Sequence, residues 1–332
     1  MSGYYRPLVQ HGPTRPEGAL PLAGGPLWFT HAEVLSRDAA PRIVLAGDIP
    51  EPWRTRLASA RAPVAGLDWS QPRIMGILNV TPDSFSDGGR HFGTEAAFNG
   101  ALAMVQAGAD IIDVGGESTR PGAREMPAEE EIARVVPAIS ALRAASAVPI
   151  SIDTRKARVA DAAADAGADL VNDVSAFLHD PGLIDTCVAR NLPVCLMHMR
   201  GDPENMQDDP HYDDVTLDVF DHLSARIAAL EAHGIPRSRI LADPGIGFGK
   251  TVAHNLALLQ NIALFHGLGV AILLGVSRKG FIGKIGKAQP GAARAPGSIA
   301  VGLAGLAQGV QILRVHDVVE TAQALRLWRA VR

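Results

Sequence analysis

The chain has 332 residues, 47% hydrophobic and 20% charged, which is enough apolar material for one large core and argues against a disordered chain. A formal net charge of −4 gives no basic field for nucleic acid or an anionic membrane, so any anionic ligand must be held by locally placed cations. The two cysteines, Cys187 and Cys195, are too few for a disulfide framework and lack zinc-site spacing, and no apolar run is long enough to span a membrane; a soluble, cytoplasmic protein is expected.

Residues 1 to about 70 are rich in Pro, Gly, Ala and Arg, and only Arg42–Ala46 reads as a short strand. From Arg73 onward, apolar β-branched runs alternate with longer Ala/Leu-rich segments of helical period. Strands are predicted at Ile74–Val80, Asp110–Gly115, Pro149–Asp153, Leu170–Val174, Pro193–His198, Ile240–Asp243, Val270–Val276 and Gln311–Val315. Helices are predicted at Thr94–Ala107, Ala128–Ala145, Ala157–Ala166, Gly182–Arg190, Val215–Ala232, Val252–Phe265, Ser298–Gln308 and Val318–Val331. Gly108, Gly167, Gly234 and Gly267 are expected as left-handed C-caps.

The strands are nearly continuous in apolar residues, as when both faces are covered. Eight β-α alternations predict an α/β fold, a (β/α)8 TIM barrel over residues 71–332 with an N-terminal extension over 1–70. An open doubly wound sheet satisfies the same alternation.

In such a barrel, residues at the C-terminal ends of the strands face the active-site mouth. Here those ends carry Asn79, Glu117, Asp153, Asn172, His198, Asp243, Ser277 with Lys279, and Arg314 with His316. Any one of these is ordinarily a turn former or cap. The recurrence of Lys, Arg, His and Glu is not what turns select, and the set reads as one converging polar site. Asp153, Asn172 and Asp243 are short acceptors suited to a flat, nitrogen-rich heterocycle. Lys279, Arg314 and His316 are donors and cations on the last two strands, where such barrels commonly bind phosphate. Arg314 and His316 lie two apart and share a face; an ion pair with Asp317 or Glu320 is the alternative use for that arginine. Two loops, 81–89 and 115–123, are small, polar and glycine-rich, as lids over a site are. Gly249-Lys250-Thr251 suggests a phosphate loop, but only three residues separate Gly245 from that pair and position 244 is Pro, so the motif fails.

Taken in order, the motifs resemble those of the dihydropteroate synthases of the pterin-binding family. They run from Met75 through Gly89, then Gly115 to Gly122, Ser151 to Thr154, Asn172 to Val174, Met197 to Met199, Asp243 to Lys250, Ser277 to Lys279 and Arg314 to Asp317, and the resemblance covers residues 73 to 332. It implies a transferase of folate biosynthesis that condenses a dihydropterin pyrophosphate with p-aminobenzoate. By resemblance, Asp153, Asn172, Asp243 and Lys279 hold the pterin, with Met197 against it. Asn79 is the implied Mg²⁺ ligand, and Asn79, Arg314 and His316 anchor the pyrophosphate. Phe85, Thr119, Pro121, Phe248, Ser277 and Lys279 form the p-aminobenzoate pocket, Arg120 belongs to the second loop, and Asp87 joins Arg314, His316 and Lys279 as catalytic. The resemblance also implies a homodimer with small-molecule partners. A pterin-binding methyltransferase or a non-catalytic pterin-binding barrel is the competing reading. The former leaves the cations of the last two strands unused, and the latter predicts decayed loops.

Overall fold

The computed structural model describes residues 3–80, 90–118, 125–201 and 206–332, with the side chains of 90–94 excepted. The N-terminal segment contains five short strands: β1 (Tyr4–Pro7), β2 (Leu20–Pro21), β3 (Trp28–Phe29), β4 (His31–Leu35) and β5 (Arg42–Leu45), followed by helix α1 (Glu51–Ala58). β1, β4 and β5 form an antiparallel sheet, and β2 pairs with β3. This unit encloses its own small core of Leu22, Phe29, Ala32, Ala46, Ile49 and Leu57. It is therefore more ordered than its weak periodicity predicts.

The predicted barrel is present. Its strands are β6 (Arg73–Asn79), β7 (Ile111–Gly115), β8 (Ile150–Asp153), β9 (Leu170–Asp173), β10 (Val194–Met197), β11 (Ile240–Asp243), β12 (Ala271–Leu274) and β13 (Ile312–Val315). All pair in parallel, and β9 pairs with β10 while β13 pairs with β6, so the sheet closes and the open-sheet alternative is excluded. The surrounding helices are α2 (Arg90–Ala107), α3 (Ala128–Ala145), α4 (Ala157–Ala166), α5 (Gly182–Ala189), α6 (Val215–Ala232), α7 (Val252–Gln260), α8 (Gly280–Gly286), α9 (Ala295–Ala307) and α10 (Val318–Ala330).

Two layers of apolar packing follow from the period-two geometry of the strands. Outward residues such as Ile74, Ile112, Ile150 and Ile272 meet the helices in the main core. Inward residues Met75, Ile111, Leu170, Cys195, Leu241, Leu273 and Ile312 fill the barrel floor, and Val64 and Trp69 close it from the N-terminal side. The Trp69 indole N–H is satisfied by the Ala62 carbonyl at 2.7 Å. The floor is a packed core, so the polar residues above it have one open end to face.

One predicted helix differs and one helix is unpredicted. The sixth predicted helix splits at Asn261 into α7 and a 3₁₀ stretch, Ile262–Leu268, and α8 had no counterpart in the sequence reading. Gly108, Gly167 and Gly234 take the expected positive φ, but Gly267 does not; Gly269 (φ 76°) caps the 3₁₀ stretch instead. Gly267 answers a different demand. A Cβ there would stand 2.1 Å from the Trp53 ring, so the glycine lets α1 lie close against the barrel. Trp53 also stacks on Phe220 of α6 at 5.2 Å, and the Tyr4 hydroxyl donates to Asp221 at 2.8 Å.

Candidate active site

The register of the strands sets Asn79, Gly115, Asp153 and Asn172 side by side across β6 to β9. One layer below, Asp113 faces the same interior. Arg314 of β13 reaches into this group: its Nε donates to Asp113 Oδ2 at 2.6 Å and an Nη donates to Asp153 Oδ2 at 2.6 Å. The Asn172 amide donates to the same Asp113 oxygen at 3.1 Å. Asp113 is wholly buried, and its other oxygen has no hydrogen-bond partner. A buried carboxylate is tolerated when paired and hydrogen-bonded, and Arg314 supplies both conditions.

The electrostatics follow from this enclosure. Burial pushes the Asp153 carboxyl up to about 7; Arg314 opposes the shift and Asp113 adds to it. Burial disfavours the Arg314 cation, but Asp113 and Asp153 more than offset this and its pKa lies above the ordinary value. Burial also raises Asp243, against the Gly245 N–H that donates to its Oδ1 at 2.7 Å.

Beyond Asp243 the chain turns sharply. Gly245 has φ 70°, and a Cβ would lie 1.8 Å from the His198 carbonyl oxygen, so no other residue fits. The turn brings Phe248 beneath Lys279, whose Nζ stands 3.9 Å from the ring centroid. Burial pulls the Lys279 amine down to about 8, with Asp243 opposing the shift and Arg314 reinforcing it. Met197, buried at the end of β10, packs near Gly245. On the next wall, Ser277 and His316 are joined: the His316 Nδ1 lies 3.0 Å from Ser277 Oγ, and the His316 N–H donates to that oxygen at 3.1 Å. Arg278, not Arg314, forms the ion pair with Asp317.

The barrel mouth therefore presents buried and half-buried acceptors beside half-buried cations. Residues 75–316 match the model of the pterin binding enzyme family. The dihydropteroate synthase of Escherichia coli K12 is 47% identical over 264 residues, covering 80% of this chain and 93% of that protein. The chain belongs to the dihydropteroate synthase family. Solved structures agree with that assignment. Xanthomonas albilineans dihydropteroate synthase with 4-aminobenzoic acid aligns with a TM-score of 0.77 and 48% identity, over 82% of this chain and 97% of that one. The same enzyme in complex with 7,8-dihydropteroate aligns with a TM-score of 0.72 and 42% identity, over 82% and 98%. The family match begins at residue 75, beyond the N-terminal unit.

The residues expected from the family lie in the following places. Asn79, Asp153, Asn172, Met197, Asp243, Phe248, Ser277, Lys279, Arg314 and His316 all lie around the barrel mouth or just inside it. Phe85, Asp87, Thr119, Arg120 and Pro121 lie outside the described residues. Two strand-end residues do not join the set. Glu117, beyond the end of β7, is buried among Lys156 (3.1 Å), Arg155 (3.4 Å) and the Met126 N–H (3.0 Å). His198 follows inward-facing Met197 and so points to the opposite face, where Lys250 reaches its Nδ1 at 2.9 Å. Asp113 was missed altogether. Its signal was present: an ionisable residue inside Ile111-Ile-Asp-Val-Gly115 is costly unless something inside the fold pairs with it. Among the described residues, no group of three or more His, Cys, Asp or Glu is arranged to hold a metal.

Proposed function

We propose that the chain condenses 6-hydroxymethyl-7,8-dihydropterin pyrophosphate with 4-aminobenzoate, giving 7,8-dihydropteroate and pyrophosphate. The observation that carries this reading is the juxtaposition of the acceptors Asp153, Asn172 and Asp243 with the half-buried cations Lys279 and Arg314 at one barrel mouth whose floor is sealed. The relatives' bound 4-aminobenzoic acid and 7,8-dihydropteroate support the choice of substrate and product.

In this reading the acceptors take the ring N–H and amino donors of the pterin, and Met197 packs against its face. Lys279 faces the ring's acceptor side. The C–O bond from the pterin methylene to pyrophosphate breaks, and its electrons leave with the pyrophosphate oxygen. The electron-rich ring shares the positive charge left on the methylene carbon. The arylamine nitrogen then forms the new C–N bond and sheds one proton to solvent. Arg314 and His316 stabilise the departing negative charge, which is where fixed cations contribute most. Asp87 is the proposed carboxylate beside the methylene cation, and Phe85, Thr119, Arg120 and Pro121 complete the arylamine side. An arylamine is nucleophilic when neutral, so no activated serine or cysteine is required.

A magnesium ion fits the chemistry of the mouth. Gly115 has no side chain, and the Asn79 Oδ1 and Asp153 Oδ2 atoms each lie 3.8 Å from where its Cβ would stand. Hard oxygen donors around a side-chain-free space suit Mg²⁺, which keeps several waters and takes substrate phosphate oxygens. Bound there, it would neutralise charge on the pyrophosphate, with Asn79 as the residue that would hold it. We further propose a cytoplasmic homodimer, with the small-residue helix α9 as a close-packing surface; sedimentation at two concentrations tests that assignment. The function itself is tested by chromatographic detection of 7,8-dihydropteroate from the two substrates. Absence of product from folded protein overturns it.

A further inference from the structure

Lys250 ends the glycine-rich turn and is not accounted for by the chemistry above. Its side chain is buried, and its Nζ sits among four acceptors: the Gly245 and Phe248 carbonyls at 2.9 Å each, the His198 carbonyl at 3.3 Å and the His198 Nδ1 at 2.9 Å. Among the described residues it forms no ion pair. An amine has up to three N–H donors, so the three backbone carbonyls can each take one, and the His198 Nδ1 contact is a donor or an acceptor according to the tautomer. Burial pulls the Lys250 amine down to about 7, with Asp243 opposing the shift and Lys279 reinforcing it; in either charge state its N–H groups hold the turn.

The consequence lies on the far side of the turn. With the carbonyls of Gly245 and Phe248 drawn back toward Lys250, the Phe248 ring is presented to the cavity under Lys279. The adjacent Gly247 lies against the Lys279 stem, where a Cβ would stand 3.0 Å from its Cδ. The turn is thus a lever between two lysines, one buried behind the wall and one facing the pterin.

We propose that Lys250 is a positioning residue that aims Lys279 into the pterin site by fixing the Gly245–Phe248 turn. The proposal rests on the synthase reading for its kinetic readout but not for its geometry.

Double-mutant cycles test it. Lys250→Gln should lower kcat/KM about 10-fold, within the range of couplings between residues sharing a network. In a Lys279→Ala background the same substitution should cost less than about 2-fold, while in an Asn172→Ala background the full loss should persist. Equal losses in both backgrounds, or no loss in the parent, overturn the proposal. A merely structural Lys250 lowers the melting temperature and gives those equal losses. If Lys250→Gln does not fold, Lys250→Arg is taken through the same cycles; its loss must vanish with Lys279→Ala, and persistence overturns the proposal. A parent protein that makes no dihydropteroate fails the synthase reading instead. The cycles are then read as Kd for 6-hydroxymethyl-7,8-dihydropterin by calorimetry, with the same two outcomes.

Discussion

Asp113, buried in the middle of β7, accepts the Nε of Arg314 at 2.6 Å, and the same oxygen accepts the Asn172 amide. One carboxylate therefore orients both Asn172 and Arg314, which the proposed reaction uses as a pterin-binding group and a phosphate-side cation. Asp113→Asn keeps the shape and removes the charge. Removing one partner of a buried pair costs about 3–5 kcal/mol, so kcat/KM should fall by roughly 100-fold or more. Steady-state kinetics on folded protein check this, and a change under about 2-fold would show that Arg314 is positioned by other contacts.

Arg314→Ala should lower pterin affinity as well as turnover. The motif alone suggests a pyrophosphate anchor, with turnover lost and ring binding spared. In the folded chain, however, Arg314 lies against Asp113 and Asp153, and its removal leaves two buried carboxylates without their cation. Calorimetric titration with 6-hydroxymethyl-7,8-dihydropterin should show at least about a 10-fold loss, a modest share of that penalty. Retained affinity would restore the narrower role.

How much of this was legible in the sequence differs by residue. Asp153 and Asp243 end their strands and Asn172 lies one residue short of the end of its own, where polar residues interrupt apolar runs, and so they could be read directly. Asp113 sits mid-strand, and attention to strand ends passes over it although the period of two puts it on the same face as Gly115. Glu117 and His198 also mark strand ends, but their partners Lys156 and Lys250 are 39 and 52 positions away, a pairing local patterns do not contain. The N-terminal sheet was hidden for the same reason: Tyr4 pairs with Leu35 across a Pro/Gly-rich stretch with little periodicity.

The pH profile of kcat/KM should be bell-shaped and narrow, because it reports groups of the free enzyme. Lys279, pulled down to about 8, is charged below that value and loses its charge as pH rises through it, which sets the alkaline limb. Asp153, pushed up to about 7, is ionised above that value and becomes protonated as pH falls through it, which sets the acid limb. Lys279→Met should abolish the alkaline limb while leaving the acid limb. A flat profile between pH 6 and 9, roughly one unit beyond each limb, contradicts these assignments.

Trp53→Ala probes the N-terminal unit apart from the chemistry. It deletes the stack on Phe220 and the contact with Gly267, both remote from the barrel mouth. A loss of about 2 kcal/mol is expected for truncating a half-buried aromatic, lowering the melting temperature by a few degrees. kcat/KM should be unchanged; a parallel loss of activity would tie the extension to the site.

Whether this chain is a synthase is decided by measuring pyrophosphate when the purified chain is mixed with 6-hydroxymethyl-7,8-dihydropterin pyrophosphate, with 4-aminobenzoate present or omitted, and with Mg²⁺ or a chelator. A synthase releases pyrophosphate in a one-to-one ratio with 7,8-dihydropteroate, dependent on 4-aminobenzoate for product and on Mg²⁺ for rate. No release from folded protein under any of these conditions would contradict the synthase reading.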